Sequence, residues 1–267
     1  MTAPDIATPA ERLLPRLDAA IEGLLDALRE GRYRPPAISG PVPAPSLAND
    51  DQVPRPAGAI HLYCHGHGDP QAALRALAAA SEAAIIACPI DRAWAVGEVR
   101  ARLAAAIATT RAAMVDGNRD IALMAEGVAA PFALASLGGA ATGRRQIGTV
   151  ALLTPVLGPP DAAERADPIP PTPDTAIDPA LLTAALAFER LRSLPPILVV
   201  TSGHDPYRRD AARLVERLRI AEAEVSALCF PGTLHGFGMH ERLIDAAPTV
   251  LLRGVLADWI HPGRARP

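Results

Sequence analysis

The chain contains no lysine: all 26 basic residues among its 267 are arginine. That excludes Schiff-base chemistry on a lysine amine and a phosphate-loop lysine. Cysteine is scarce. Cys64, Cys88 and Cys229 each sit inside an apolar, strand-like run, where a free thiol behaves as a small hydrophobe, so no disulfide framework is implied and a reducing cytoplasm fits. A basic leader followed by an apolar stretch is missing, and no segment approaches ~18 unbroken apolar residues, so a soluble cytoplasmic protein is expected. The net charge of -3 and the lack of Arg runs give no basic field for a phosphate backbone, and nucleic acid is not expected as a partner. Cys64, His65, His67 and Asp69 are metal-capable, but neighbouring strand residues face opposite sides and no second cluster completes a ligand set. No metal and no cofactor is implied.

What is present is an alternation. After an amphipathic stretch from Pro9 to Arg29, with Thr8 as candidate N-cap, seven prolines between Pro35 and Pro56 mark an extended linker. Residues 1–56 therefore read as a helical arm and linker, and 57–267 as a core. Strands are expected at Ala59–Cys64, Ala84–Cys88, Ile121–Ala125, Thr149–Thr154, Ile197–Thr201 and Val225–Phe230. Helices are expected between them at Gln71–Ala80, Val96–Met114, Val128–Leu137 and Tyr207–Ala221. Strands alternating with helices predict an α/β fold, a mostly parallel sheet covered on both faces. A proline-rich stretch with helical Pro179–Leu191, about residues 156–192, interrupts the alternation as a lid or cap insertion, and with the arm it is expected to roof a pocket.

Two blocks carry a specific pattern. Ile197-Leu198-Val199-Val200-Thr201-Ser202-Gly203-His204-Asp205-Pro206 ends a buried strand on an acid, and Pro231-Gly232-Thr233-Leu234-His235-Gly236-Phe237 follows, with His235 thirty residues after Asp205. Upstream, Leu62-Tyr63-Cys64-His65-Gly66-His67-Gly68 closes another strand. In order, spacing and flanking residues these resemble the acid, histidine and HGGG segments of bacterial hormone-sensitive-lipase-like esterases, members of the α/β-hydrolase superfamily. The resemblance implies an α/β-hydrolase fold, His235 oriented by Asp205 as the catalytic pair, and an oxyanion-type loop whose N–H donors are Gly66, His67 and Val128. It further implies that His65 supports that loop, and it suggests a homodimer through an edge strand and the C-terminal helix.

The third element departs from the family. Where a G-D-S-A-G-G elbow would present the nucleophile, this chain has Ala125-Glu126-Gly127-Val128-Ala129-Ala130, so the serine position falls on Gly127. Glycine suits the turn, since it adopts positive φ without steric cost, but it brings no hydroxyl. Ser136 lies nine residues further on, inside the expected helix, and Ser202 and Ser81 are not at an elbow. All three read as structural serines. Asp205 could equally cap the helix beginning near Tyr207, and His235 could be a core histidine in a turn; the P-G-x-x-H-G-F context favours the pocket. Glu126 matches the family's acid beside the serine and is expected to turn away from the pocket, with a replacement base as its alternative role.

Three functions remain open at this level. One is a repurposed site in which the His–Asp dyad and the donor loop act on a small carbonyl or acyl substrate by elimination, cyclisation or water attack. The second is a catalytically inactive pseudoenzyme that binds a small ligand or a protein partner. The third is a carboxylic ester hydrolase with another nucleophile.

Overall fold

The computed structural model describes residues 16–33, 40–49, 53–65, 69–137, 146–158 and 178–261. In chain order the elements are α1 (Ala19–Arg29), β1 (Ser46–Leu47), β2 (Ala57–Cys64), α2 (Gln71–Ser81), β3 (Ala83–Ile90), α3 (Val96–Ala112), β4 (Ile121–Glu126) and α4 (Ala129–Leu137). There follow β5 (Ile147–Leu153), α5 (Pro179–Ala185), α6 (Phe188–Leu191), β6 (Ile197–His204), α7 (Arg208–Ile220), β7 (Val225–Leu234) and α8 (Ala247–Trp259), with two 3-10 turns at Phe237–Met239 and Glu241–Leu243. Seven strands form one sheet in the order β1-β3-β2-β4-β5-β6-β7. Only β1 runs antiparallel to its neighbour. This is the α/β architecture expected from the alternation.

The central strands β2, β3 and β4 are buried almost throughout because both faces are covered, whereas the edge strand β7 exposes Ser226 to Cys229. Ile121, Leu123 and Ala125 of β4 enter one core cluster with α3, α4 and α7, whereas Ala122 and Met124 enter the other with α1, α2 and α8. Burying each large aliphatic side chain contributes about 1.5–3 kcal/mol. Aromatic residues are only 3% of the chain, so alanine does much of the close packing. All nine residues of α4 are buried, and its Ala135 carbonyl accepts from Arg100 of α3 at 2.9 Å and Arg190 of α6 at 2.8 Å. Two guanidinium groups thus satisfy a carbonyl near the helix C-terminus that would otherwise lack a partner.

Some boundaries differ from expectation. The expected first helix is described only from residue 16 on, its residues 9–15 lying outside the described residues, and there α1 begins at Ala19: Asp18 is extended, and its carboxylate accepts the Ala20 N–H at 2.9 Å. An aspartate satisfies an N-terminal amide directly, and it sets the start here. Thr8 lies outside the described residues. The helix expected over Pro179–Leu191 divides into α5 and α6, and β6 and β7 run on to His204 and Leu234. β1 escaped notice because two residues carry no periodicity. In α8 Leu252 and Leu256 are buried, while Val250 and Leu251 are exposed. Among the described residues no helix is long and apolar enough to cross a membrane.

Candidate active site

The C-terminal ends of β4, β6 and β7 bring three positions together. β4 ends at Glu126, and the chain turns at Gly127 with φ +52 before entering α4. Gly127 is held on both sides: its N–H donates to Leu153 O and its carbonyl accepts from Val156 N, each at 3.0 Å. β6 delivers Asp205, which is 2% exposed. One carboxylate oxygen accepts the Tyr207 N–H at 2.8 Å at the start of α7, and the other lies 3.1 Å from His235 Nδ1. The contact to the N–H of Tyr207, the residue that precedes α7, and the histidine contact coexist because a carboxylate has two oxygens, whereas among the described residues no side chain caps the first turn of α7 itself.

His235 follows β7 directly. Its imidazole is only 14% exposed, and the Tyr207 ring meets it edge-on with centroids 5.2 Å apart. Burial disfavours its charge, but the Asp205 carboxylate and its hydrogen bond, with Glu126 further off, outweigh burial and raise the pKa above its ordinary value. Hydrogen bonding through Nδ1 leaves Nε2 as the acceptor of the neutral ring. Nε2 faces the turn: a Cβ at Gly127 would lie 3.4 Å from it and 3.9 Å from Cε1, with no other heavy atom of the described residues within 4 Å beyond the adjacent chain. The imidazole is therefore aimed at the space a side chain at position 127 would occupy.

The other expected site residues divide. Val128, 8% exposed, follows Gly127 at the entrance to α4. Gly66 and His67 lie outside the described residues. His65 donates its backbone N–H to Ile90 O at 2.8 Å, and its buried Nε2 has no hydrogen-bond partner among the described residues. Glu126 carries its carboxylate to within 3.3 Å of Nε2 of His61, although the pair is misaligned for a hydrogen bond. Ser81 donates to Leu77 O and Ser202 to Leu234 O, both at 2.8 Å, and Ser136 is buried within α4. None of the three lies at the elbow.

Sequence reasoning missed three neighbours of the site. His61, fully buried and stacked on Tyr63, was signalled by being the one strongly polar side chain in an otherwise apolar strand. Tyr207, against His235, was legible only as an aromatic next to the acid segment. Thr154, whose hydroxyl accepts the Gly236 N–H at 3.2 Å, gave no signal, because the two residues are 82 positions apart.

A family model described as alpha/beta hydrolase fold matches residues 103–239. The chain belongs to the α/β-hydrolase family. No curated protein matches it by sequence. Among solved structures, a fungal esterase from Rhizomucor miehei superposes with a TM-score of 0.67 at 15% identity, covering 91% of this chain and 96% of that one. Carboxyl esterase 2 from the mycorrhizal fungus Tuber melanosporum gives 0.64 at 15%, covering 92% and 100%. A thermostable esterase from Pseudomonas putida gives 0.62 at 18%, covering 92% and 98%. At such identities the likeness is one of fold, and it places this α/β-hydrolase among esterase-shaped chains over nearly their full length.

Proposed function

We propose that this α/β-hydrolase is a repurposed member of the hormone-sensitive-lipase-like group that acts on a small acyl or carbonyl compound without an acyl-enzyme. His235, oriented by Asp205, is the general base. It takes a proton from a water or a substrate hydroxyl standing where a nucleophilic side chain at position 127 would stand. That oxygen then attacks the carbonyl or closes a ring, or, in an elimination, His235 takes a proton from the substrate carbon beside the carbonyl instead, and the amides of Gly66, His67 and Val128 receive the developing oxyanion. The observation that carries this reading is the 3.4 Å between Nε2 of His235 and the Cβ point at Gly127, with the Asp205 contact retained behind it. A dyad kept in register against a residue with no side chain supports a changed reaction more than a decayed site.

The esterase neighbours support a second reading, ester hydrolysis through another nucleophile. The buried placements of Ser81, Ser136 and Ser202 weigh against it. The readings separate by turnover and mass spectrometry with short-chain p-nitrophenyl esters and small lactones. On the first, His235→Ala lowers turnover roughly 10²–10⁴-fold and quenched reactions carry no acyl adduct on the protein. An adduct on a serine would establish the second. Absence of turnover on every ester, lactone and β-leaving-group substrate, with binding intact, would leave the pseudoenzyme.

A further inference from the structure

The residues Leu153 to Val156, at the end of β5, bond to the elbow, the acid strand and the histidine turn. Leu153 and Val156 hold the two backbone groups of Gly127, each at 3.0 Å. The Thr154 N–H donates to Val200 O at 2.8 Å, on the strand that ends at the acid segment. The Thr154 hydroxyl accepts the Gly236 N–H at 3.2 Å, immediately after His235. Four hydrogen bonds from three residues of this stretch, Leu153, Thr154 and Val156, thus reference the elbow, the acid strand and the histidine turn to one another.

Thr154 is also conformationally odd. It is 2% exposed and sits at φ +42, where a β-branched residue crowds its own backbone. Glycine would adopt the same backbone without strain, but it has no hydroxyl. Strain kept at a buried position points to a task for the side chain, and among the described residues the hydrogen bond of this hydroxyl runs to the histidine turn.

We propose that Thr154 is a positioning residue: its hydroxyl fixes Gly236, and through it the His235 imidazole, relative to Gly127 and Asp205. Its functional meaning rests on His235 being the base of the proposed reaction, but the contact itself does not require turnover. A packing role alone would need only the shape of the side chain, which valine reproduces together with the same strain.

The test compares Thr154→Val, Thr154→Ser and Thr154→Gly in the full chain. Amide exchange at Gly236 and the downfield NMR resonance of the His235 Nδ1 proton are the readouts. Loss of the hydroxyl in Thr154→Val and Thr154→Gly is expected to accelerate Gly236 exchange roughly tenfold and to broaden the Nδ1 resonance, and Thr154→Ser is expected to restore both. Where turnover is measurable, kcat falls in the first two variants with KM little changed. Should Thr154→Val fail to fold, Thr154→Gly, which relieves the strain, carries the comparison. A sharp resonance and unchanged exchange in the hydroxyl-free variants would overturn the proposal. Loss of the resonance in a protein without turnover on any substrate would refute the proposed function while leaving the Thr154 contact standing.

Discussion

Gly127→Ser is the sharpest perturbation available, because it adds only the atoms that the elbow lacks. The new Cβ would stand 3.4 Å from His235 Nε2, at ordinary van der Waals contact, and among the described residues only that imidazole lies within 4 Å of it beyond the adjacent chain. The hydroxyl, one bond further, comes within hydrogen-bond reach of the same nitrogen. The cost is conformational: an L-residue at φ +52 loses about 1–2 kcal/mol relative to glycine, which for a domain of this size lowers Tm by about 2–8 °C. The gain is kinetic. Removing the serine from a working triad costs on the order of 10⁶ in kcat, so, on the proposed function, restoring it beside the His235–Asp205 pair should raise p-nitrophenyl acetate hydrolysis at least about 100-fold and produce a burst of acyl-enzyme. Gly127→Ala is the control, with the same Cβ and strain and no hydroxyl; it should lose similar stability and gain nothing. A folded Gly127→Ser protein with neither burst nor acyl adduct on Ser at that position would refute the argument that Asp205, His235 and the elbow retain hydrolase geometry.

Base-dependent turnover should rise with pH, since the neutral imidazole is the active form, and its midpoint should lie above the ordinary 6.5 of histidine because Asp205 stabilises the charged ring. Glu126→Gln, which removes a smaller contribution of the same sign, should move the midpoint of a kcat/KM profile down; an upward move would contradict the assignment. Gly203→Ala should destabilise the fold by about 3 kcal/mol or more in urea melts, because its Cβ would fall 1.9 Å from the Pro231 carbonyl oxygen, a backbone atom with nowhere to go. Thiol titration should find one reactive cysteine in the native protein and three after unfolding: Cys229 is exposed, whereas burial pushes the Cys64 and Cys88 thiols up to about 12.

The fold was legible because each strand is a short apolar run bounded by turn residues and each long helix has its own apolar stripe. Local chemistry decided those elements, and the family segments at 62–68, 197–206 and 231–237 fixed their order. The same locality explains the errors. The first helix was drawn too long because periodicity ran through residues 16–18, whereas the cap at Asp18 sets its start. β1 exists only through its pairing with Ala87 and Ile86 of β3.

For the site, the sequence determined the cast: an acid, a histidine and a glycine where a nucleophile belongs. Motif spacing reports residue types and order along the chain, and those are local facts. Only the tertiary structure decided that one Asp205 oxygen takes the Tyr207 N–H while the other meets His235, that Nε2 faces the Cβ point of Gly127, and that Thr154 reaches Gly236 from another strand. Those are distances between groups tens of residues apart in the chain. The packing of a parallel sheet sets them, and no local pattern encodes it.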